Sequence, residues 1–360
     1  MSATLEEVAK AAGVSVATAS RVLTHSPHPV REETRQKVLR FAQAMDYRPN
    51  LLARSMRTDR THTIGIIADN LLSPFTPPII QGIQDFLKTI DYLGLIVNAD
   101  WDPTVEREAI TTLLSRAVEG IIFVESSHLA PTQELVESQK PYMYVHRLFG
   151  SSVQNSVVPD DYRGAQLAVE HLLRLGHRRI AHIAGPHGWH SARRRVESYQ
   201  DTLRKHGLVA DADLVVEGDW EFAGGVTAMQ QLLTCTPLPT AIFVGNDMMA
   251  LGALEALRTA GLQVPQDIAL AAYDNREISH VLHPKLTTVS LPAYHMGRKA
   301  AELLWLKLQG DVGDLAEVKI CGQLYIRESC GAPMTLRTPE TVDIGSNARH
   351  HLVGKQPQSD

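Results

Sequence analysis

Two different spacings of apolar residues divide this chain. Through the first 45 residues, apolar side chains recur every three or four positions, as Leu5, Val8 and Ala12 do, which is the period of an amphipathic helix. From Thr63 onward, short continuous apolar runs such as residues 64–67 alternate with helical patterns. Runs of this kind are typical of buried strands in a parallel sheet. The spacing therefore predicts a small helical head followed by a larger α/β region.

The first two helices have clear start signals. Thr4 and Glu7 can form a capping box at the start of the first helix. Gly13 accepts the positive φ that a tight turn needs, and Ser15 can cap a second helix that ends near Leu23. Two short helices joined by such a turn form a helix-turn-helix, whose second helix enters the DNA major groove.

A third helix is predicted over about Glu32 to Met45. Glu32 and Glu33 favour the positive end of its dipole, while Arg31 before them is a poor capping residue. The apolar stripe of this helix is expected to be buried and consists of Val38, Leu39, Ala42 and Met45.

The sequence of the first two helices resembles the head of the lactose-repressor (LacI/GalR) family. The resemblance is carried by Thr4-Leu5, Val8-Ala9, Ala12-Gly13-Val14-Ser15, Thr18 and Ser20-Arg21-Val22-Leu23. Arg21 can make a bidentate contact with guanine, and small apolar side chains suit a thymine methyl group. Thr4 and Ser15 suit capping and phosphate contact equally. The residues expected to contact DNA are Thr4, Ser15, Val16, Ala17, Thr18, Ser20, Arg21, Thr34, Asn50, Arg54 and Met56.

The segment after the head predicts a hinge. Residues 51–58 offer one further short helical stretch, which is too short to be stable alone in water. In the family this hinge helix pairs with its dimer mate in the operator minor groove and inserts a Leu between base steps; Met56 stands at that place here. Residues 51–58 could instead be a plain linker in which Met56 is a stray apolar residue. Arg35 and Arg54 could either contact the DNA backbone or be solvated surface cations.

Charge and composition agree with a DNA-binding head on a body that does not bind DNA. Residues 1–60 contain ten Lys and Arg against six Asp and Glu, although the whole chain has a net charge of −5. We find no membrane-length apolar run and no signal peptide, so a cytoplasmic location is expected. Three scattered cysteines have neither disulfide nor zinc spacing.

The strand–helix alternation predicts two doubly wound parallel sheets with helices on both faces. Such a pair resembles the periplasmic sugar-binding-protein core of the same family, which implies crossings between lobes near Asp160, Leu291 and Cys321. The expected organisation is a head over 1–48, a hinge over 49–61, a core over 62–331 and a disordered tail over 332–360. The first lobe takes 62–160 and 292–320, and the second takes 161–291 and 322–331.

Polar and aromatic residues follow several of the predicted strands. Ligands of open α/β sheets bind at the carboxyl ends of the strands, and Asp, Asn, Arg and Trp suit the hydroxyls and flat face of a sugar. With the family resemblance, this predicts an effector cleft lined by Phe75, Glu125, His146, Arg195, Trp220, Asn246 and Asp274. Asn246 could instead cap a helix, and Trp220 or His146 could belong to the core.

Catalytic signals are few. The chain has no phosphate-binding loop, no helical metal-binding pair and no nucleophile elbow, and His182, His187 and His190 are irregularly spaced. We therefore expect no enzyme activity, no cofactor and no metal. A solute-binding receptor would share the core but would need export and has no use for the head.

The sequence thus predicts a homodimeric transcriptional repressor of carbohydrate-utilisation genes. Two heads would bind a pseudo-palindromic operator, because dimer symmetry requires paired half-sites. A monosaccharide or disaccharide bound between the lobes would change their arrangement and hence the pairing of the two hinges. An effector that favours the DNA-free form induces, and one that favours the DNA-bound form is a corepressor.

Overall fold

Three short helices open the computed structural model, which describes residues 3–23, 28–47, 60–125, 132–147 and 154–338. They are α1 (Leu5–Ala12), α2 (Val16–Leu23) and α3 (Glu32–Ala44). The predicted capping box is present: Thr4 accepts from the Glu7 amide while Glu7 accepts from the Thr4 amide. Gly13 has a φ of 63°, and Ser15 Oγ accepts from the Thr18 amide. The helix-turn-helix prediction is confirmed.

The three helices enclose a small apolar core. Val8, Ala12, Val22 and Val38 are fully buried in it. Leu39, which was expected to be buried, is 37% exposed. Each helical residue is rotated by about 100° from the one before it. Val38 and Ala42 therefore occupy the face toward the core, and Leu39 is turned away from it. These helices belong to one of two compact units, which ends at Thr63 and also includes Ala117–Glu119.

The second unit contains two six-stranded sheets. The first sheet has the order β11-β5-β4-β3-β1-β2 in our numbering, and its β3 pairs in parallel with β1 and β4. Its strands are β1 (Thr63–Ala68), β2 (Leu93–Asn98), β3 (Gly120–Val124), β4 (Tyr142–Val145), β5 (Ser156–Pro159) and β11 (Val318–Ile320). Its helices are α4 (Thr76–Thr89), α5 (Pro103–Ser115), α6 (Gln133–Ser138) and α12 (Ala293–Gln309).

The second sheet has the order β12-β10-β9-β8-β6-β7. Its pairs are parallel except for β10 with β12, which is antiparallel. Its strands are β6 (Ile180–Ala184), β7 (Val215–Glu217), β8 (Ala241–Val244), β9 (Ala269–Asp274), β10 (Thr287–Ser290) and β12 (Leu324–Tyr325). Its helices are α7 (Asp161–Arg174), α8 (His190–Lys205), α9 (Phe222–Leu232), α10 (Asp247–Thr259) and α11 (Ile278–Val281). The predicted fold class, a helical head with two parallel-dominated sheets, is confirmed.

The chain passes between the two sheets three times. It leaves the first sheet after β5, returns to it through α12 after β10, and leaves it again after β11. The central strands are buried on both sides; the residues of β3, β6 and β9 are all buried. The strands from β6 to β10 pair in parallel, so their carboxyl ends meet at one edge of the second sheet.

Two boundaries differ from the sequence expectation. The spacing of apolar residues over about Pro78 to Leu93 predicts one helix. In the structure α4 begins at Thr76 and ends at Thr89, and Leu93 starts β2. Leu93 lies on an edge strand and is 58% exposed. Its apolar side chain was therefore wrongly counted with the buried face of the helix. Residues 332–338, assigned to the tail on composition, pack on the core instead. Ala332 is buried, and the Thr338 amide donates to Ile326 at 2.8 Å.

Candidate functional site

Helix α2 presents a small exposed surface that matches the predicted DNA-reading face. Val16 is 42% exposed, and Ala17 and Arg21 are also exposed, while Ala19 and Val22 of the same helix are buried. Packing of the buried pair against α1 and α3 therefore turns Arg21 outward. This is the arrangement that a recognition helix needs, because its outer face must be free to enter the groove.

Two of the polar residues expected to contact DNA, Thr4 and Ser15, cap the starts of α1 and α2. Thr4 accepts from Glu7, and Ser15 Oγ is 2.9 Å from Thr18 Oγ1. Thr4 and Ser15 are exposed, and Thr18, Ser20 and Thr34 are half-buried. Asn50, Arg54 and Met56, together with most of the predicted hinge, lie outside the described residues.

All seven residues expected to bind the effector line one cavity. It lies between the two sheets, has a volume of about 380 Å³, and receives Phe75, Glu125 and His146 from the first lobe. Arg195, Trp220, Asn246 and Asp274 line it from the second lobe. Sequence positions as far apart as 75 and 274 therefore converge, because the chain brings the carboxyl ends of both sheets to the same cleft.

Glu125 is the centre of the first-lobe wall. It follows β3, is only 3% exposed, and accepts hydrogen bonds from Ser73 Oγ at 3.0 Å and from Thr76 Oγ1. Its Oε1 is 3.2 Å from His146 Nδ1. Burial alone would raise the pKa of Glu125, but the hydrogen bond and charge of His146, with the two hydroxyls, hold it below its ordinary value. Glu125 is therefore a fixed negative charge in this wall.

His146 has a second neighbour in the same lobe. Its ring meets the Phe75 ring edge to face, with the centroids 5.6 Å apart. This contact and the bond to Glu125 fix the orientation of the imidazole, so His146 forms part of the cavity wall rather than of the core.

Arg195 is held from three sides in the second-lobe wall. Its Nε and Nη2 atoms lie 2.9 and 2.7 Å from Asp161 Oδ1, and its Nη1 donates to the Gly245 carbonyl at 2.5 Å. The guanidinium carbon is 3.6 Å from the centroid of the Tyr273 ring. Although burial opposes a charge here, Asp161 and its other acidic neighbours raise the pKa of Arg195, so it remains a buried cation.

Asn246 performs the capping role that the sequence left open, and it also lines the cavity. Its Oδ1 accepts from the Met249 amide and so caps the N-terminus of α10. Its Nδ2 donates to the Trp220 carbonyl at 2.8 Å, and the residue lines the cavity. Trp220 in turn meets Trp189 edge to face at 6.0 Å. Asn246 therefore links the N-terminus of α10 to the two tryptophans of the cavity wall.

Several non-glycine residues that line this cleft have a positive φ. Glu125, His146 and Trp220 have φ values of 58°, 54° and 72°, and Asp274 has a φ of 110°. Non-glycine residues rarely adopt such angles, and they persist only where surrounding contacts enforce them. Burial raises the pKa of Asp274, although the neighbouring Arg195 opposes the shift.

Several further residues line the cavity that sequence reasoning did not single out as effector-binding. They include Asn70, Leu72, Trp101, Trp189, Ser191 and Glu221. Trp101 follows β2 and Trp189 follows β6, so their positions after strands could have pointed to these two as well. Nothing in the sequence pointed to Asp161 as the partner of Arg195, because 34 residues separate them.

A second cavity of about 380 Å³ lies on the second lobe, beside His187, Arg193 and Glu217, and contains none of the predicted residues. Across the parts of the chain that the structure describes, no group of three His, Cys, Asp or Glu side chains is placed to hold a metal ion. No helix among the described residues has the length and apolar character to cross a membrane.

Comparisons with known proteins agree with this architecture. The model of bacterial regulatory proteins of the lacI family matches residues 4–50, and that of a periplasmic binding protein-like domain matches residues 169–330. The HTH-type transcriptional repressor CytR of Escherichia coli (strain K12) is 34% identical over 334 residues, covering 92% of this chain and 97% of that protein.

Two solved structures are similar over nearly the whole chain. One is a lac repressor dimer bound to operator and the anti-inducer ONPF, with 28% identity, a TM-score of 0.73 and coverage of 92% of this chain and 100% of that one. The other is a complex of the transcriptional regulator CelR with cellobiose, with 30% identity, a TM-score of 0.66 and coverage of 91% and 99%. The chain therefore belongs to the LacI family of bacterial regulatory proteins.

Proposed function

We propose that this transcriptional repressor binds a small carbohydrate in the cleft between its lobes and that the bound sugar changes its affinity for operator DNA. The observation that carries the proposal is the convergence of seven polar and aromatic side chains from both lobes on one cavity. A ligand that contacts both walls binds the two lobe arrangements unequally, and an unequal affinity is what shifts an equilibrium between them.

The chemistry of the walls suits a sugar. Glu125 supplies carboxylate oxygens and Asp274 a carboxyl group for ligand hydroxyls, and the aromatic faces of Trp220 and Phe75 suit a pyranose or furanose ring. The related regulator CelR has been solved with cellobiose, which supports a carbohydrate here.

On the DNA side, we propose that Arg21 reads a guanine from the major groove and that Val16 and Ala17 contact neighbouring bases. The exposure of these three side chains on α2 supports this assignment. We further propose a cytoplasmic homodimer, since a symmetric dimer places two such helices on paired half-sites and a lac repressor dimer has been solved on its operator.

Two variants of the full chain test whether DNA binding and sugar binding depend on different residues and whether sugar binding changes DNA binding. The operator is first selected from random DNA, and sugars are then screened by their effect on melting temperature. Arg21→Ala should weaken operator binding and keep the melting shift produced by sugar. Asp274→Ala should keep operator binding without sugar and lose both the shift and the response to sugar. Loss of both functions in either variant would contradict the proposed division of roles.

A further inference from the structure

We infer that the effector is an uncharged, unphosphorylated carbohydrate, and that the Glu125 charge in the first-lobe wall excludes anionic sugars. The inference rests on the proposed function of the cleft and specifies the chemical class of its ligand. It follows from the charges that line the cavity and from the contacts they have already made.

The cavity contains a buried carboxylate, Glu125, whose charge is stabilised by its protein neighbours. Glu125 is 3% exposed, and three neighbouring groups, Ser73, Thr76 and His146, stabilise its ionised form. Glu221 adds a carboxylate at an exposed position. Burial raises the pKa of Asp274 to about 8, so its carboxyl group in the opposite lobe adds no full negative charge at neutral pH. An anionic ligand in this cleft would lie beside a buried carboxylate that water does not screen.

The cationic side chains of the cavity already bind other groups of the protein. Arg195 is the one Lys or Arg among the described residues that line the cavity. Asp161 accepts from its Nε and Nη2 atoms and the Gly245 carbonyl accepts from Nη1, so the Nε–Nη2 edge of the guanidinium is not available as a fork for a phosphate. His146 is similarly bound to Glu125. Residues 126–131 and 148–153, outside the described parts, contain no Lys or Arg.

One feature of the cleft favours an anion. Helix α8 begins beside Trp189 and Ser191, and no side chain caps its N-terminus. A helix dipole is equivalent to only about half an elementary charge. The Glu125 carboxylate carries a full charge within the same cavity, so the balance is against a phosphate or sugar acid.

Uncharged hydroxyls fit the same walls without this penalty. They donate to the carboxylate oxygens of Glu125, and they can donate to or accept from the carboxyl group of Asp274 when it is protonated. Four aromatic residues line the cavity for the apolar faces of sugar rings: Phe75, Trp101, Trp189 and Trp220. An amino sugar would bring its ammonium group into a cavity that Arg195 already lines as a buried cation, so it gains less than its charge suggests.

The test uses matched sugars with the full chain. Glucose, ribose and cellobiose are each compared with their phosphate esters, and glucose with glucosamine, first by melting temperature and then by calorimetry. We expect a neutral sugar to bind at least about 100-fold more tightly than its phosphate ester, since like charges in a binding site are strongly repulsive. Glu125→Gln should reduce this ratio by about tenfold or more. Glu137→Gln, which removes an exposed carboxylate elsewhere on the first lobe, should leave the ratio unchanged.

The outcomes separate this inference from the proposed function. A phosphate ester that binds as tightly as its parent sugar, or glucosamine that binds more tightly than glucose, would overturn the uncharged class and leave the carbohydrate cleft intact. An unchanged ratio in a folded Glu125→Gln protein would remove Glu125 as the excluding charge. If neither the sugars nor their esters bind while operator binding persists, both proposals fail.

Discussion

Asp247 and Thr288 are joined by a hydrogen bond of 2.7 Å inside the second lobe. The second carboxylate oxygen of Asp247 accepts from the Arg276 amide at 2.6 Å, and Thr288 Oγ1 also accepts from the Asn275 amide at 3.3 Å. These bonds hold the chain immediately after Asp274, whose φ is 110°. Asp247 does not line the cavity, but it enforces the strained backbone that aims Asp274 into it.

Removing the Thr288 hydroxyl should therefore weaken effector binding from a distance. Thr288→Val keeps the shape and loses both hydrogen bonds, whereas Thr288→Ser keeps them. We expect the valine variant to lose about 1–3 kcal/mol of unfolding free energy, because it leaves buried polar groups unpaired. Its effector affinity should fall about tenfold while operator affinity without sugar is retained. Calorimetry and urea unfolding measure both quantities, and a valine variant with wild-type sugar affinity would contradict this role.

Gly185 sets the position of the Trp220 indole. A Cβ added at Gly185 would lie 2.0 Å from Trp220 Cζ2, far inside van der Waals contact. Gly185→Ala should displace the indole, change tryptophan fluorescence and lower sugar affinity about tenfold or more. Gly188→Ala is the matched control, since a Cβ there meets nothing within 4 Å. Equal sugar affinity in the two variants would show that the indole position does not matter for binding.

Arg21 should account for sequence-specific operator recognition. Losing a bidentate contact with guanine costs about 1–3 kcal/mol on the specific site and much less on random DNA. Arg40→Ala, at an exposed position of α3, removes the same charge from the head and serves as the comparison. Gel-shift titrations on both DNAs measure the two costs. Equal losses on specific and random DNA would mean that Arg21 contacts phosphate only.

Stability should fall in mild acid because His182 is buried in its neutral form. It is fully buried, its Nδ1 is 2.8 Å from the Phe243 carbonyl, and its ring stacks on Phe243. Burial lowers the pKa of His182 to about 4. The unfolded chain, with an ordinary histidine pKa of about 6.5, binds the proton first as the pH falls. His182 therefore stabilises the fold above that value and loses this effect between about pH 6.5 and 4.

The pH dependence can be measured by urea unfolding between neutral pH and pH 4. The loss due to His182 should be about 3 kcal/mol. His182→Phe keeps the ring stacking and should show a smaller loss, while the exposed His187→Phe should behave as wild type. His171 contributes in the same direction, because burial lowers its pKa to about 4. Identical pH profiles for wild type and His182→Phe would refute the assignment.

Local signals in the sequence were sufficient for the elements themselves. The Thr4–Glu7 capping box, the positive φ of Gly13 and the strand Ile180–Ala184 all follow from near neighbours in the chain. Leu93 and Leu39 were misjudged because apolar character alone does not show which face of an element will be covered. Strand-end positions and the family resemblance together predicted seven cavity residues but not Trp101 or Trp189, which follow β2 and β6.

The sequence by itself determined the type of protein. Capped helices, apolar runs of strand length and polar residues at strand ends can be recognised because each of these patterns depends only on residues close together in the chain. Only the tertiary structure decided which charges are paired. Asp161 binds Arg195, and His146 lies beside Glu125, because separate strands and helices deliver them to one cleft. Pairing between distant residues depends on how the sheets pack, and no local pattern encodes it. That pairing decides which charges the cleft presents to a ligand.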